Sequence, residues 1–247
     1  MKRIVLFFAV LGVMPGIAIF ANNPEPQTNA YANVFVEEGD EMVVNHTEYI
    51  TGKNRSSILA GAMMFIIENL EAGSEAYPML NPEDFSFAIN GKYEVKSGKN
   101  NLLDKLNEVT YKYTLQIQAE DGTLQIKVAN IETSFKDKGF IPKKMKIKKL
   151  LASDKEQHKA LVSDFVRLNR EYISQITEYV TNAKPQKVSH WKEVAEGTVV
   201  TGMNKTEVKL AIGLPQTMRD TGQGEKWMYG YDFVVLFNKG VVQRVIK

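Results

Sequence analysis

Two stretches in the middle of the chain alternate apolar and polar residues with the period of a β-strand. The apolar positions are Tyr111, Tyr113, Leu115 and Ile117 before Asp121-Gly122, and Leu124, Ile126 and Val128 after it. An Asp-Gly pair between alternating runs is a strong signal for a tight β-hairpin. Because the apolar positions of each strand share one face, the pattern predicts an antiparallel sheet with one buried face and one face in water.

Two other stretches carry apolar residues at the three- and four-residue spacing of an amphipathic helix. The first covers residues 58–70, and either Asn54 or Ser56 is suited to cap its start. The second covers residues 153–182 and opens with Ser153-Asp154-Lys155-Glu156, which has the spacing of a capping box. Both apolar stripes require a surface to pack on, and the predicted sheet offers one.

Further strand signals flank these elements. Residues 34–36 and 42–47 predict short strands, and alternating residues at 85–89 and 93–95 predict a hairpin that turns at Asn90-Gly91. The order of elements is strand, helix, several antiparallel strands and a long helix. This order predicts an α+β fold, a curved antiparallel sheet with helices on one face.

The C-terminal part of the chain predicts a smaller unit with the order ααβββ. Residues 191–195 suggest a short helix, and Asn204 is placed to cap a second helix whose third residue is Glu207. Trp227, Tyr229, Tyr231 and Phe233 then alternate as in an aromatic-rich strand. Residues 234–237 turn through Asn238-Lys239-Gly240 into residues 241–245, which predicts two further strands. We place a linker at residues 183–189 between the two predicted domains.

The first 21 residues have the layout of a secretory signal peptide. Lys2 and Arg3 precede an apolar run that Pro15 and Gly16 interrupt, which predicts cleavage after Ala18 or Ala21. The alternative is a retained membrane anchor, since the run approaches the length of a spanning helix. Cleavage is the favoured interpretation, and it predicts a periplasmic or secreted protein without a stable membrane anchor. The chain has no cysteine, so the lipid-bearing Cys of a lipoprotein is absent.

The first predicted domain, residues 31–182, resembles a family from the bacterial envelope that is common in Bacteroides-type secreted proteins. The matching features are the early helix, the Tyr-rich strand at 109–118, the Asp121-Gly122 turn into 124–131 and the long closing helix. That family is a domain of unknown function with a TATA-box-binding-protein-like fold. The resemblance implies this shape and does not imply DNA binding.

The second predicted domain, residues 190–247, resembles the SmpA/OmlA family. The matching motifs are Gly202-Met203 before a helix, Gly213-x-Pro215, Trp227-x-Tyr229 and the Phe237-Asn238-Lys239-Gly240 hairpin. That family includes a small lipoprotein subunit of the outer-membrane β-barrel assembly machine. The resemblance implies an envelope location and a binding or scaffolding role, and outer-membrane association is one location that it allows.

The charge balance gives no sign of a nucleic-acid partner. The chain has 31 basic and 29 acidic residues, and two of the basic ones, Lys2 and Arg3, belong to the predicted leader. The remaining chain is formally neutral, whereas nucleic-acid binders usually show a basic excess or stripe. Five lysines crowd residues 143–149 among apolar residues, which favours an edge strand protected from pairing over a site for an anionic partner.

The residue types needed for common catalytic and metal sites are sparse. The three histidines, His46, His158 and His190, have no spacing typical of zinc ligands, and the absence of Cys excludes thiol catalysis. No Gly-x-Ser-x-Gly elbow and no phosphate-binding glycine pattern is present. We therefore expect no metal, no cofactor and no enzymatic activity.

Four aromatic residues near the C-terminus are the candidate binding residues, namely Trp227, Tyr229, Tyr231 and Phe233. Exposed Trp and Tyr supply large contact areas to a partner. The alternative for Trp227 is packing in the core of a small domain. The leading hypothesis is a secreted, non-enzymatic binding or scaffolding protein whose partner is another envelope protein. The alternative function is a hydrolase or a carbohydrate-binding protein with a cleft between the two domains.

Overall fold

A computed structural model describes residues 31, 33–69, 78–95, 106–137, 142–222 and 224–247. The predicted signal peptide, residues 1–21, lies outside these residues. Across the described segments, none of the helices combines the length and the apolar character that a membrane crossing requires.

The larger of two sheets has seven antiparallel strands. They are β1 (Val36–Glu38), β2 (Glu41–Tyr49), β3 (Met79–Asn81), β4 (Ser86–Val95), β5 (Leu106–Glu120), β6 (Thr123–Asp137) and β7 (Lys143–Lys146). The strand order is β1-β2-β6-β5-β4-β3, and β7 pairs with β6. The hairpin predicted at Asp121-Gly122 is confirmed and joins β5 to β6, with Gly122 at a φ of 74°. The lysine-rich segment supplies β7, which extends only to Lys146.

Three helices accompany this sheet, namely α1 (Arg55–Asn69), α2 (Ile147–Leu151) and α3 (Glu156–Asn182). The side chain of Asn54 caps α1 by accepting a hydrogen bond from the N–H of Ser57 at 2.9 Å. Helices α1 and α3 pack on each other and on the apolar face of the sheet. Polar residues such as Gln116 and Gln118 occupy the opposite, exposed face. The predicted α+β class is confirmed.

The smaller sheet follows two short helices and has four strands instead of the predicted three. The elements are α4 (Trp191–Ala195), α5 (Lys205–Ile212), β8 (Thr217–Asp220), β9 (Glu225–Tyr229), β10 (Phe233–Asn238) and β11 (Val241–Ile246). The predicted cap is confirmed, because Asn204 and Glu207 form a reciprocal capping box at the start of α5. Strand β8 has no apolar alternation, and all four of its residues are exposed. The pattern that marks the other strands is therefore absent there.

The hairpin predicted at Asn90-Gly91 is wrong. Strand β4 runs straight through both residues and pairs with β5 along its whole length. Glycine is required there for a different reason, since a Cβ atom at position 91 would lie 2.5 Å from the ring of Tyr113. In a strand interior, glycine can mark such a close approach as well as a turn.

The predicted capping box at the start of the long helix is also wrong. Helix α3 begins at Glu156, and its N-cap residue, Lys155, makes no side-chain capping bond. The hydroxyl of Ser153 instead lies 2.7 Å from Nδ1 of His158. A serine hydroxyl can bond to several nearby groups, and here it pairs with the imidazole of His158 inside the helix instead of capping the helix.

The segment between the two sheets is held in place by hydrogen bonds. The N–H of Gln186 donates to Oγ of Ser57 at 2.9 Å, and Nε1 of Trp191 donates to Oγ of Ser56 at 3.0 Å. The indole of Trp191 also packs edge-on against Phe85, with 6.0 Å between ring centroids. Buried apolar residues of both sheets belong to one continuous core. The division into domains at 31–182 and 190–247 stays a prediction.

Candidate functional site

A groove with a volume of about 760 Å³ lies between β2 and α3. We name it the α3–β2 groove and define it by Val44, His46 and Glu48 of β2 and by Val166, Asn169 and Ile173 of α3. Helix α3 packs on one face of the sheet. Among the described residues, no strand lies beyond residues 44–49 of β2 to cover the neighbouring side of α3. The groove occupies this uncovered space, so one of its sides is a sheet edge.

The side chains of β2 alternate between the groove and the open face of the sheet. Val44 is 6% exposed, and His46 and Glu48 are half-buried against the groove. The intervening residues face outward, and Tyr49 is 79% exposed. This is the period of two expected for a strand, and it sends every second side chain of β2 towards α3.

The backbone of β2 has one paired edge and one edge that is open beyond Val43. Residues Val44 to Tyr49 pair with β6, and the N–H of Ile50 donates to the carbonyl of Gly122 at 2.8 Å. In an antiparallel ladder, hydrogen-bonded pairs alternate with non-hydrogen-bonded pairs. Even-numbered residues of this segment therefore bond towards β6, and the backbone groups of Asn45, Thr47 and Tyr49 point to the opposite edge.

Strand β1 covers only the first part of that opposite edge. Its pairs with β2 end at Val36 and Val43. The chain that leads into β1 turns away, because the N–H groups of Val34 and Phe35 both donate to the carbonyl of Tyr31, at 2.9 and 3.2 Å. Within the described part of the chain, no strand pairs with the open edge at Asn45, Thr47 and Tyr49.

A buried polar side chain without a partner lies in the groove. Asn169 is 3% exposed, and its carboxamide oxygen accepts no hydrogen bond from any described residue. Buried polar atoms in proteins are nearly always hydrogen-bonded, and an unpaired one destabilises the fold by about 1–3 kcal/mol. The side chain of Asn169 lines the groove, although its oxygen is closed to solvent in this conformation. A turn of the carboxamide towards the groove would let this oxygen accept a hydrogen bond from a donor there.

The charged groups at the groove differ in whether they already have partners. Nε2 of His46 lies 3.2 Å from a carboxylate oxygen of Glu48. On α3, Arg167 bonds Asp164 at 2.7 Å and Glu171 at 3.1 Å. Arg170 is exposed on the lining of the groove, and no acidic group of the described residues forms an ion pair with it. It is the cation of this site that remains free for an anionic group.

The structure places two of the four aromatic candidates, Tyr229 and Phe233, in contact with each other and sets Trp227 and Tyr231 in different surroundings. Trp227 is 2% exposed, packs on Phe237 with 4.5 Å between ring centroids, and donates its Nε1–H to Glu225 at 3.1 Å. Tyr229 contacts Phe233 edge-on at 6.0 Å. Tyr231 is fully exposed in the turn after Gly230. The alternation predicted from Trp227 to Phe233 is interrupted there, because Gly230 has a φ of 73° and a turn separates β9 from β10.

The indole of Trp227 is almost fully buried, and the surface that it retains borders a small pocket at the junction of the two sheets. Its packing on Phe237 is the arrangement that the packing alternative describes. Tyr229 uses its hydroxyl within the fold, where it donates to the carbonyl of Gly213 at 3.1 Å. Of the four residues, Tyr231 alone presents its whole side chain to solvent. A binding role for these residues stays a prediction.

A smaller pocket of about 210 Å³ lies at the junction of the two sheets, where the alternative function would require its cleft. Glu68 is the one carboxylate that the described residues contribute to this pocket, and it accepts a hydrogen bond from the hydroxyl of Tyr179 at 2.9 Å. Most glycosidases need two carboxyl groups that face each other across such a cleft. In the described segments, no cluster of three or more His, Asp or Glu side chains is placed to hold a metal.

The sequence alone did not indicate the groove, although one signal for it was present. Asn169 falls within the apolar stripe of α3, where its neighbours Phe165, Val166, Ile173 and Ile176 are all buried. A polar residue inside such a stripe marks a position that is either paired or functional. The open edge of β2 has no comparable signal, because it depends on which strands pair across the fold.

A solved bacterial protein shares this fold. A TBP-like protein from Parabacteroides distasonis has a TM-score of 0.52 at 11% identity, and the match covers 60% of this chain and 98% of that one. A DUF4468 family protein from Bacteroides ovatus has a TM-score of 0.48 at 12% identity, with 67% and 100% covered. No family model and no curated protein matches the chain. The TBP-like part of the predicted resemblance is confirmed as a fold, and the SmpA/OmlA part stays a prediction.

Proposed function

We propose that this protein is a non-enzymatic binding protein of the bacterial cell envelope and that it holds its partner in the α3–β2 groove. The observation that carries the proposal is the buried, unpaired carboxamide oxygen of Asn169 inside an open groove. A fold does not specify a function, so the chemistry of the site has to carry the proposal. Location in the envelope is supported by the predicted leader and by the motifs that resemble the SmpA/OmlA family.

The lining of the groove supports binding better than it supports hydrolysis. Ser174 and His46 both line it, but no hydrogen bond joins the serine hydroxyl to the imidazole. Nucleophilic catalysis by serine requires a base within hydrogen-bonding reach. The remaining groups suit recognition, with apolar Val44, Val166 and Ile173 beside a small number of polar groups. Such a combination is typical of ligand sites.

A photo-crosslinking experiment in the producing cells tests the proposal. A photoreactive amino acid replaces Ser174 at the groove and, as the matched control, Gln116 on the exposed sheet face. We expect a discrete crosslinked species at position 174 that is absent at position 116. Its identification by mass spectrometry should then allow binding to be measured with the purified components. The same products at both positions, or none under several growth conditions, would contradict the proposal.

Cell fractionation with N-terminal sequencing tests the location. We expect the protein in the periplasmic or outer-membrane fraction, beginning just after Ala18 or Ala21. A chain that retains Lys2 and Arg3 and remains in the inner-membrane fraction would support the anchor alternative. Turnover of a hydrolysable substrate that is lost in a Glu68→Gln variant would favour the hydrolase alternative, because Glu68 is the carboxylate that the described residues contribute to the pocket at the junction.

A further inference from the structure

We infer that the partner in the α3–β2 groove is an extended peptide segment that adds a strand to β2 and carries an acidic side chain for Arg170. The inference rests on the proposed function, because it takes the groove as the binding site. It adds the chemical class of the partner and the way it is held.

Strand β2 has backbone hydrogen-bonding groups that are unused along its open edge. The backbone groups of Asn45, Thr47 and Tyr49 point to an edge that no described strand pairs with. Residues 44–49 span about 20 Å at the usual rise of a strand, enough for about five or six residues of a partner. Peptides often bind by adding a strand to such an edge, where main-chain hydrogen bonds provide affinity.

The open edge of β2 has no residue that would discourage pairing with a further strand. Proteins block exposed edges with lysine, with proline or by keeping the strand short. Strand β7 of the same sheet shows these devices, since it has four residues and three of them are Lys143, Lys144 and Lys146. Residues 44–49 of β2 include neither lysine nor proline. The two strands therefore differ in whether they discourage a further strand.

The α3–β2 groove lies directly beside the open edge of β2. A strand that continues the sheet past β2 would direct every second side chain towards α3, as β2 itself does. Those side chains would enter the α3–β2 groove over Val166 and Ile173, which are 8% and 7% exposed. A donor on the peptide would meet the unpaired oxygen of Asn169.

The charged groups that line the groove favour an acidic side chain on the peptide. His46 and Glu48 pair with each other, and Glu171, the other carboxylate of the lining, is engaged by Arg167 outside it. Arg170 has no such partner among the described residues and lines the groove. An Arg guanidinium pairs well with a carboxylate through two parallel hydrogen bonds. An Asp or Glu side chain, or a C-terminal carboxylate, on the peptide would complete this contact.

The test begins with a display library of linear twelve-residue peptides. The protein is purified after secretion from a host cell, with the N-terminus that the host's processing produces. Bound peptides are resynthesised, and their affinities are measured by fluorescence anisotropy. We expect enrichment of peptides with an acidic residue among apolar residues. N-methylation of one peptide nitrogen at a time should weaken binding about tenfold at every second residue and have little effect between them. This scan leaves the protein unchanged, so a folding defect cannot produce its result.

Protein variants locate the contact. Thr47→Pro removes an N–H that points to the open edge and should weaken binding about tenfold, whereas Thr47→Ala keeps that N–H and should bind normally. Asn169→Leu should weaken binding by a similar factor. Arg170→Gln should weaken only the peptides that carry an acidic residue. Thermal unfolding of each variant shows whether it is folded.

The outcomes separate this inference from the proposed function. Peptides that compete with the crosslink at Ser174 but show no alternation on N-methylation would overturn strand addition and leave the groove as the binding site. Failure of every peptide, together with a groove-dependent crosslink, would also overturn the inference alone. Self-association that Thr47→Pro abolishes, without peptide binding, would identify a second copy of the chain as the occupant and overturn it too. Absence of both peptide binding and the crosslink would overturn both proposals.

Discussion

The α3–β2 groove and the junction of the two sheets both contain a buried polar side chain, and they differ in how that side chain is satisfied. At the junction, the carboxylate of Glu207, which is 1% exposed, accepts hydrogen bonds from the backbone N–H groups of Ser189, His190 and Asn204. In the groove, the carboxamide oxygen of Asn169 accepts none from the described residues. A saturated buried group stabilises a unique fold, whereas an unsaturated one is available to a ligand.

The difference also appears in the electrostatics of the junction. Burial is the largest single effect and raises the pKa of Glu207. The hydrogen bonds from the backbone of Ser189, Asn204 and His190 and from the His190 side chain together lower it more, so the pKa lies below its ordinary value of 4.5. The charged form is therefore the one that the fold favours. This marks Glu207 as a structural residue, and the predictions below test that contrast with Asn169.

The largest effect is expected for Glu207→Leu. The substitution leaves three partly buried backbone N–H groups without their acceptor, and we expect a loss of about 3 kcal/mol in the free energy of unfolding. Urea unfolding monitored by tryptophan fluorescence measures it. Asn169→Leu is the matched control, since it also replaces a buried polar side chain with leucine. A loss below about 1 kcal/mol for Glu207→Leu would remove the contrast.

A pH effect should follow from the same carboxylate. Because the pKa of Glu207 is lower in the folded state than its ordinary value of 4.5, its contribution is present above that value and is lost as the pH falls through the folded pKa. The stability difference between the wild type and Glu207→Gln should therefore shrink below pH 4.5. Urea unfolding at a series of pH values measures this difference. A difference that grows on acidification would contradict the assignment.

A smaller effect is expected at the other side of the junction. Trp191→Phe removes the hydrogen bond from Nε1 to Ser56 and should lower stability by about 1 kcal/mol, with some additional loss of packing. In a Ser56→Ala background, the same substitution should have a smaller effect, because the partner is already absent. Thermal unfolding of the four proteins in this cycle gives the coupling energy. An unchanged effect in both backgrounds would show that the hydrogen bond does not contribute.

The smallest effect is expected for Asn169→Leu. Replacing an unpaired buried polar group with an apolar one of similar size should change stability by less than about 1 kcal/mol, or should increase it. Asn169→Ala is a useful companion, because it removes volume without adding apolar contact. If Asn169→Leu is as destabilising as Glu207→Leu, the oxygen of Asn169 is satisfied in solution and the groove loses its free acceptor.

Local patterns in the sequence predicted the elements whose signals are local. The turn at Asp121-Gly122 and the caps at Asn54 and Asn204 depend on residues within a few positions of one another, and all three are confirmed. The strand through Asn90-Gly91 depends on a long-range contact, because the ring of Tyr113 covers Gly91. No pattern around position 91 distinguishes that contact from a turn.

The candidate site was harder to predict from the sequence for the same reason. The aromatic residues from Trp227 to Phe233 have the composition of a binding surface, yet Trp227 lies in the core of the small sheet. The open edge of β2 arises because β1 stops at Val36 and the preceding chain turns at Tyr31. Neither the end of β1 at Val36 nor the turn at Tyr31 is marked by a hydrophobic pattern in the sequence. The polar Asn169 within the stripe of α3 was the local clue.

The turn at Tyr31 has a practical consequence for labelling. Asn33 and Val34 form part of the groove lining, and the carbonyl of Tyr31 accepts a hydrogen bond from Val34, so Tyr31 lies near the rim of the site. The other terminus belongs to the smaller sheet, where the ammonium of Lys247 lies over the ring of Phe233. An affinity tag or fluorophore placed ahead of residue 31 would start beside the opening and compete with incoming molecules. The same tag attached after Lys247 would leave that opening unobstructed.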